Sequence, residues 1–250
     1  MFRHIGEFFR GWIGPKPEEV AQLTNAELEA LLVDESKLTR SKQQWVREQR
    51  FMKEGPRERS TERLPPGQHL TKSFPVLDLG IQPVIPTADW ALELAGEVAR
   101  PVVLDWDGFN ALPQLAMTVD IHCVTAWSRY DNGWVGVSTK DLLELCQPRP
   151  AASAVMIEGY DGYTTNLTLA DFSAPQCIVA HSWSSEPLAV EHGGPARLVV
   201  PHLYFWKSAK WIRRITFLER EERGFWEVGG YHVRGDPWMQ NRYRIDEPLD

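Results

Sequence analysis

From residue 64 onward, apolar residues fall in short runs that proline and glycine interrupt. Runs this short, with such breaks, are typical of strands. Helical spacing returns only briefly, most clearly in Thr139–Cys146, which Ser138 or Thr139 can cap. The apolar runs that we predict as strands are residues 74–77, 90–94, 101–104 and 197–201. This mixture predicts an α+β fold with irregular loops.

The amino-terminal region has a different pattern. Residues 24–27 fit a capping box, and leucines follow at roughly helical spacing. A second helix is predicted over residues 41–53, before a Gly-Pro pair. Because both segments are charged and only modestly apolar, we expect residues 1–63 to form a helical arm that packs across a body formed by residues 64–250.

One alternating run ends at a cysteine. Met117, Val119, Ile121 and Cys123 share one parity, so a strand places their side chains on one apolar face. A thiol on such a face can be simple core filler, since buried free cysteine is common. The run by itself leaves Cys123 open between a packing residue and a functional thiol.

Composition excludes several classes of protein. With 43% hydrophobic and 24% charged residues, the 250-residue chain suits a globular protein. No apolar stretch is long enough to span a membrane, and the amino terminus lacks the pattern of a secretory signal, so we expect a cytoplasmic protein. Three cysteines without a CxxC pair indicate neither a disulfide framework nor a structural zinc site. Fingerprints for dinucleotide, P-loop and haem binding are also missing.

Charge is distributed unevenly along the chain. The net charge is −7, and residues 70–250 hold 15 bases against 23 acids, which argues against a nucleic-acid partner. Residues 192–218 nevertheless contain no acid, and this acid-free segment predicts either one compact anionic ligand or a solvated face. Its five strong bases are Arg197, Lys207, Lys210, Arg213 and Arg214.

Two glycine-containing segments could carry chemistry. Residues 191–195 (EHGGP) predict a turn, and Arg197 with the sequence KSAK at 207–210 follows it. Backbone N–H groups, a serine hydroxyl and paired bases suit a phosphate. Residues 161–166 (DGYTTN) predict a hairpin turn, or alternatively a Tyr163 hydroxyl that points into a cleft.

Five segments, in this order, resemble the sulfite oxidase-like family of molybdopterin-dependent oxidoreductases. The resemblance covers roughly residues 64–244. It is carried by LTKSFPVL at 70–77, DIHCVTAWS at 120–128, DGYTTNL at 161–167, EHGGPARLVVP at 191–201 and FWKSAKW at 205–211.

The resemblance implies a molybdenum–molybdopterin cofactor and assigns residues to it by position. Cys123 stands where the family has its metal-ligating cysteine, and a soft thiolate suits such a metal. Tyr163 stands where sulfite-oxidising members have an active-site tyrosine. The positions implied to contact the cofactor are Lys72, Ser73, Cys123, His192, Arg197, Ser208, Ala209 and Lys210.

The sequence departs from the family pattern at several positions. Sulfite-oxidising members continue after their cysteine with a Gly-Asn-Arg type sequence, whereas here VTAWS follows and Arg129 is out of step. This form is closer to the catalytic subunit type of protein-methionine-sulfoxide reductase, which has an asparagine at the position of His192. Gly159 also stands where a threonine contact is expected. The aromatic and basic residues of the closing segment, which could cap the cofactor cleft or form an ordinary tail, are Trp226, His232, Arg234 and Trp238.

From this resemblance we expect an enzyme that performs two-electron chemistry, with oxygen-atom transfer at a cysteine-ligated oxo-molybdenum centre. Its partners would be a small-molecule substrate and an external electron-transfer partner, because the sequence shows no second redox centre. The alternative is a non-catalytic module that carries or stores molybdopterin.

Overall fold

The computed structural model describes residues 37–51 and 62–244. Eleven strands occur in this part of the chain: β1 (His69–Leu70), β2 (Ala91–Gly96), β3 (Val102–Asp105), β4 (Gln114–His122), β5 (Trp127–Ser138), β6 (Ala154–Gly159), β7 (Thr164–Thr168), β8 (Ile178–Trp183), β9 (Glu186–Pro187), β10 (Arg197–Val199) and β11 (Ile212–Leu218). The described α-helices are α1 (Lys37–Arg47), α2 (Trp106–Asn110), α3 (Thr139–Cys146), α4 (Leu169–Phe172) and α5 (Phe225–Val228). The predicted α+β class is confirmed.

The first of two sheets is built around the long strand β5. The order is β1-β5-β8-β10, with β4 paired to β5 and β9 paired to β8. Strands β4 and β5 are antiparallel and form a hairpin whose tip is the short segment between His122 and Trp127. Strand β1 pairs with β5 in parallel beside that tip. Cys123 therefore lies in a turn at one end of this sheet.

The second sheet has the order β3-β2-β11-β6-β7. Strand β11 is central, because it pairs in parallel with β2 and antiparallel with β6. Its residues Ile212, Ile215 and Phe217 are buried. Strands β6 and β7 form the predicted hairpin over Asp161 and Gly162.

Short polar side chains cap α2, α3 and α4 of the body. The Ser138 hydroxyl accepts a hydrogen bond from the Asp141 amide at 3.0 Å, and α3 occupies Thr139–Cys146 as predicted. Thr168 caps α4 in the same way through the Asp171 amide. These caps satisfy amide groups that a helix start otherwise leaves unpaired.

Three of the four predicted strands are confirmed as β2, β3 and β10. The fourth prediction, over residues 74–77, is wrong, because these residues form an irregular segment. The Phe74 ring packs against His192 with 4.1 Å between ring centroids, so burial of its apolar surface does not require strand pairing. Helix α1 begins before the predicted residue 41 and ends at Arg47.

The helix predicted after residue 24 lies mostly outside the described residues. What is described of the arm contacts the body, because Val46 of α1 belongs to the main apolar core. Within residues 37–51 and 62–244, no helix is both long and apolar enough to cross a membrane.

Candidate functional site

A deep cleft lies where the Cys123 turn, the loop before β2 and the segment before β11 meet, and it encloses about 810 Å³ of empty space, part of it open to solvent. Eight aromatic rings form a large part of its wall, which suits a large planar ligand. The rings that line it belong to Phe74, Trp127, Tyr163, Phe205, Trp206, Trp211, Trp226 and Tyr231.

Cys123 presents its thiol to this cleft from a tight turn. The Cys123 amide donates to the Trp127 carbonyl at 2.8 Å, and the Ala126 amide donates to the Cys123 carbonyl at 3.0 Å. Two buried side chains also bind the turn. The Gln68 side-chain amide donates to the Cys123 carbonyl at 3.1 Å, and the Arg242 guanidinium donates to the Val124 carbonyl. The thiol itself has a side-chain oxygen at 3.2 Å, that of Thr125. The backbone of the turn is thus held by hydrogen bonds, and Cys123 lines the cavity.

Arg197 places a buried cation at the same cleft. Its guanidinium donates to the carbonyls of His192 at 2.9 Å and Ser208 at 2.6 Å, and it lies 4.3 Å from the Phe205 ring centroid. Among the described residues no carboxylate forms an ion pair with it. Burial lowers the Arg197 pKa to about 9. A buried cation without a counter-ion favours an anionic ligand, because removing charge from water is costly unless it is paired.

Lys210 adds a second cation beside Arg197. Its ammonium donates to the Glu191 carbonyl at 2.8 Å and lies 3.5 Å from an Asp78 carboxylate oxygen. Burial, followed by the charge of Arg197, lowers the Lys210 pKa to about 8. Gly193 makes this approach possible, since its φ of +102° is open to glycine and a Cβ there would lie 2.9 Å from the Lys210 Cβ.

Tyr163 and Asp161 come from the β6–β7 hairpin. The Tyr163 hydroxyl donates to the Trp206 carbonyl at 2.7 Å, and burial raises its pKa well above the ordinary value. The ring lines the cleft, while the hydroxyl is engaged by the protein. Asp161 is buried beside it, and burial raises the pKa of its carboxyl to about 7. Asp161 therefore exchanges a proton near neutral pH.

Most of the predicted site residues meet at this cleft. Those that line it are Cys123, Tyr163, His192, Arg197, Ser208, Ala209 and Lys210. Lys72 and Ser73 do not: Lys72 borders a separate surface depression with Arg129, and the Ser73 hydroxyl contacts that of Thr71 at 2.8 Å. Their assignment to the cofactor stays a prediction from the resemblance.

The five bases of the acid-free segment have two roles: three form ion pairs within the fold and two line the cleft. Lys207 is buried in an ion pair with Glu227, at 2.6 Å. Arg213 pairs with Glu158, and Arg214 pairs with Glu93, across the second sheet. Of the five bases of this segment, only Arg197 and Lys210 therefore line the cleft.

The carboxyl-terminal segment closes one side of the cleft. Of the four residues that could cap the cleft according to the sequence, only Trp226 lines it. Arg234 lies 3.4 Å from Asp171, and the Trp238 ring packs against His122, both away from the cavity. His232 accepts hydrogen bonds from the backbone of its own loop.

Sequence reasoning missed several residues of the wall. Lys42 reaches the cleft from α1, and Asp161 and Tyr231 also line it. Nothing in the local sequence around Lys42 distinguishes it from other lysines on an amphipathic helix. Asp161 lies in an Asp-Gly turn motif, so its presence in the sequence is accounted for by the turn alone and does not indicate a functional role.

The donor set suits a metal that arrives with its own ligands. Among the described residues no group of three or more His, Cys, Asp and Glu side chains could hold a metal ion. One thiol in an aromatic cavity cannot bind a metal alone, but it can complete the coordination of one. A molybdenum held by pterin sulfurs fits this arrangement, and the uncompensated Arg197 fits the anionic end of the same cofactor.

Comparison with known proteins supports this fit. A family model described as the oxidoreductase molybdopterin binding domain matches residues 79–226. The chain belongs to the sulfite oxidase-like family of molybdopterin-binding oxidoreductases. It is 46% identical, over 74% of its length and 93% of that protein, to the uncharacterized oxidoreductase YuiH of Bacillus subtilis (strain 168).

Other members of the family are more distant. Identity is 27% with the NADH nitrate reductase of Volvox carteri, over 74% of this chain and 24% of that protein. It is 26% with the protein-methionine-sulfoxide reductase catalytic subunit MsrP of Campylobacter jejuni, over 56% of this chain and 53% of that protein. The chain thus spans about a quarter of the first and half of the second.

The sulfane dehydrogenase SoxCD of Paracoccus pantotrophus has a similar fold. The TM-score is 0.52 with 21% sequence identity, and the match covers 56% of this chain and 41% of that chain.

Proposed function

We propose that this protein is an enzyme in which Cys123 ligates the molybdenum of a bound molybdopterin cofactor and a small substrate is oxidised or reduced by two electrons. The observation that carries the proposal is the position of a solitary thiol and a buried, uncompensated arginine on the walls of one aromatic cleft. When bound, the cofactor supplies the two-electron chemistry, which we expect to be oxygen-atom transfer.

The residues of the chain divide the work of binding the cofactor. Arg197, Ser208 and Lys210 bind its anionic end, because they offer a guanidinium, a hydroxyl and an ammonium. His192 forms a wall through its stacked contact with Phe74. The aromatic residues exclude water, which strengthens electrostatic interactions inside the cleft.

Cys123 anchors the reacting end. Its turn is fixed by hydrogen bonds from both faces, so the thiolate is presented at a defined place. Tyr163 forms part of the adjacent wall, and its hydroxyl can donate a hydrogen bond to a substrate only by giving up the one to the Trp206 carbonyl. Electrons would be exchanged with an external partner.

Replacement of Cys123 by serine tests the proposal. We expect Cys123→Ser to fold normally, because the side chain changes by one atom, and to lose turnover by at least about 100-fold. Dimethyl sulfoxide with an artificial reductant is a suitable first assay. The visible absorption band from thiolate-to-metal charge transfer should disappear at the same time, which gives a readout independent of activity.

Cys146→Ser is the matched control, because Cys146 is a buried free thiol of α3 outside the cleft. It should keep molybdenum, the absorption band and turnover. Wild-type turnover in Cys123→Ser would overturn the proposal. Wild-type protein that contains pterin without molybdenum would support a carrier instead.

A further inference from the structure

Lys42 is a buried cation from outside the body of the protein. It lies on α1, and its side chain is 7% exposed. Its ammonium lies 4.6 Å from the centroid of the Trp226 ring and lines the same cleft as Cys123. Val46, one turn later, is packed into the main core, so the helix is fixed with Lys42 facing inward.

Lys42 differs from the other cations of the cleft. Among the described residues the cleft is lined by the arginine and lysine side chains of Lys42, Arg197 and Lys210. Arg197 and Lys210 donate hydrogen bonds to backbone carbonyls. The Lys42 ammonium has no hydrogen bond or ion pair with any described residue. Its three donors are therefore available to a ligand in the cleft.

The surroundings of Lys42 indicate what that ligand is. Burial lowers its pKa, while the negative charges of a Cys123 thiolate and of Asp78 oppose this effect. Asp78 is already engaged, because it accepts from Gln82 at 2.8 Å and from the Gly80 amide at 2.9 Å. Trp226 covers one side of the ammonium. The free ammonium suits a compact anion, since a lysine acts as a point charge and lacks the bidentate fork of an arginine.

We propose that Lys42 binds a small oxyanion substrate next to Cys123, so that the arm completes the substrate site of the body. This inference rests on the proposed function, because it takes Cys123 as the reacting end of the cleft. It assigns the preferred substrate to the class of small sulfur or nitrogen oxyanions, whereas a neutral sulfoxide would bind without the help of Lys42. The cofactor's own anionic end is bound by Arg197 and Lys210, so Lys42 is not needed there.

The test uses cofactor-loaded, full-length protein and sulfate as an unreactive oxyanion. We expect Lys42→Met to weaken sulfate binding, measured by titration calorimetry, by at least about tenfold, because a buried charged contact is lost. Lys42→Arg keeps the charge and should restore most of the binding. Lys140→Met is the matched control, since Lys140 is exposed on α3, and it should bind sulfate like the wild type.

Two further measurements separate the outcomes. Molybdenum and pterin content should be equal in the wild type and Lys42→Met, whereas their loss in the variant would assign Lys42 to the cofactor and overturn the inference. In steady-state assays, KM should rise for sulfite and stay unchanged for dimethyl sulfoxide. Unchanged sulfate affinity in Lys42→Met would also overturn the inference that Lys42 binds the oxyanion. Sulfate binding that depends on Lys42 in a wild type devoid of molybdenum would keep the anion site and contradict only the proposed function.

Discussion

At the scale of single residues, burial has shifted the pKa values of ionisable side chains in the cleft. The pKa is lowered to about 9 at Arg197 and to about 8 at Lys210, and it is raised to about 7 at Asp161. In each case burial is the largest cause, because it disfavours the charged form. A bound anion would oppose the effect at both bases. An anionic ligand would therefore stabilise the charged forms of Arg197 and Lys210.

Asp161→Asn should change the pH dependence of stability. The folded pKa is about 7 against an ordinary value of 3.8, so between these values the folded protein keeps a proton that the unfolded chain releases. The contribution of Asp161 is present below pH 3.8 and is lost as the pH rises through 7. Relative to the wild type, the Asp161→Asn variant should thus gain about 3 kcal/mol of unfolding free energy between about pH 5 and pH 8.

Urea unfolding of both apoproteins at the two pH values measures this difference. Asparagine can still accept the Tyr163 amide hydrogen bond, which the aspartate accepts at 3.1 Å, so the local turn is kept. A stability difference that is the same at both pH values would contradict the raised pKa.

At the scale of elements, a buried ion pair joins the segment before β11 to α5. The Lys207 ammonium lies 2.6 Å from the Glu227 carboxylate, and both side chains are fully buried. The same carboxylate accepts from the Trp206 indole at 2.9 Å and from the Thr165 hydroxyl at 3.0 Å. This cluster holds Trp206 in the cleft wall and positions the helix that carries Trp226.

Lys207→Met should destabilise the protein by about 3–5 kcal/mol, because it leaves the Glu227 carboxylate buried and unpaired. Lys140→Met removes an exposed partner of Glu144 on α3 and should cost less than about 0.5 kcal/mol. Chemical denaturation of the two variants gives both values. Equal small losses would show that Glu227 becomes neutral or reaches solvent without its partner.

The elements also show which patterns were sufficient for prediction. Helix α3 was predicted to the residue, because its cap and its helical spacing are local and agree. Residues 74–77 were wrongly predicted as a strand, since apolar residues in a short run do not reveal whether a pairing partner is available. Phe74 instead packs among Trp134, Trp183 and Phe205.

At the scale of the whole molecule, the cleft joins three regions of the chain. Lys42 comes from the arm, Cys123 and Arg197 come from the body, and Trp226 and Tyr231 come from the closing segment. Arg242 strengthens the connection, because its buried guanidinium donates to the carbonyl of Val124, next to Cys123. A ligand in the cleft would therefore contact, and stabilise against local opening, regions that are distant in sequence.

Loading with the cofactor should slow amide hydrogen exchange in α1 by at least about tenfold relative to the apoprotein, because opening of the arm would then expose a bound ligand. Amides of β11, at the centre of the second sheet, should change little. Mass-spectrometric hydrogen exchange on the two forms measures both. Equal protection of the α1 amides with and without cofactor would show that the arm is not stabilised by a ligand bound in the cleft.

Sequence alone determined the α+β class, the β6–β7 hairpin and a minority of the residues that line the cleft, Cys123 and Arg197 among them, because periodicity, turn chemistry and ordered motifs are local properties of the chain. Tertiary structure decided which charges the site uses. Five bases share the acid-free segment, yet three are neutralised by acids brought from other elements, and only Arg197 and Lys210 face the cleft. Lys42 joins them from the arm for the same reason: burial and pairing depend on neighbours in space.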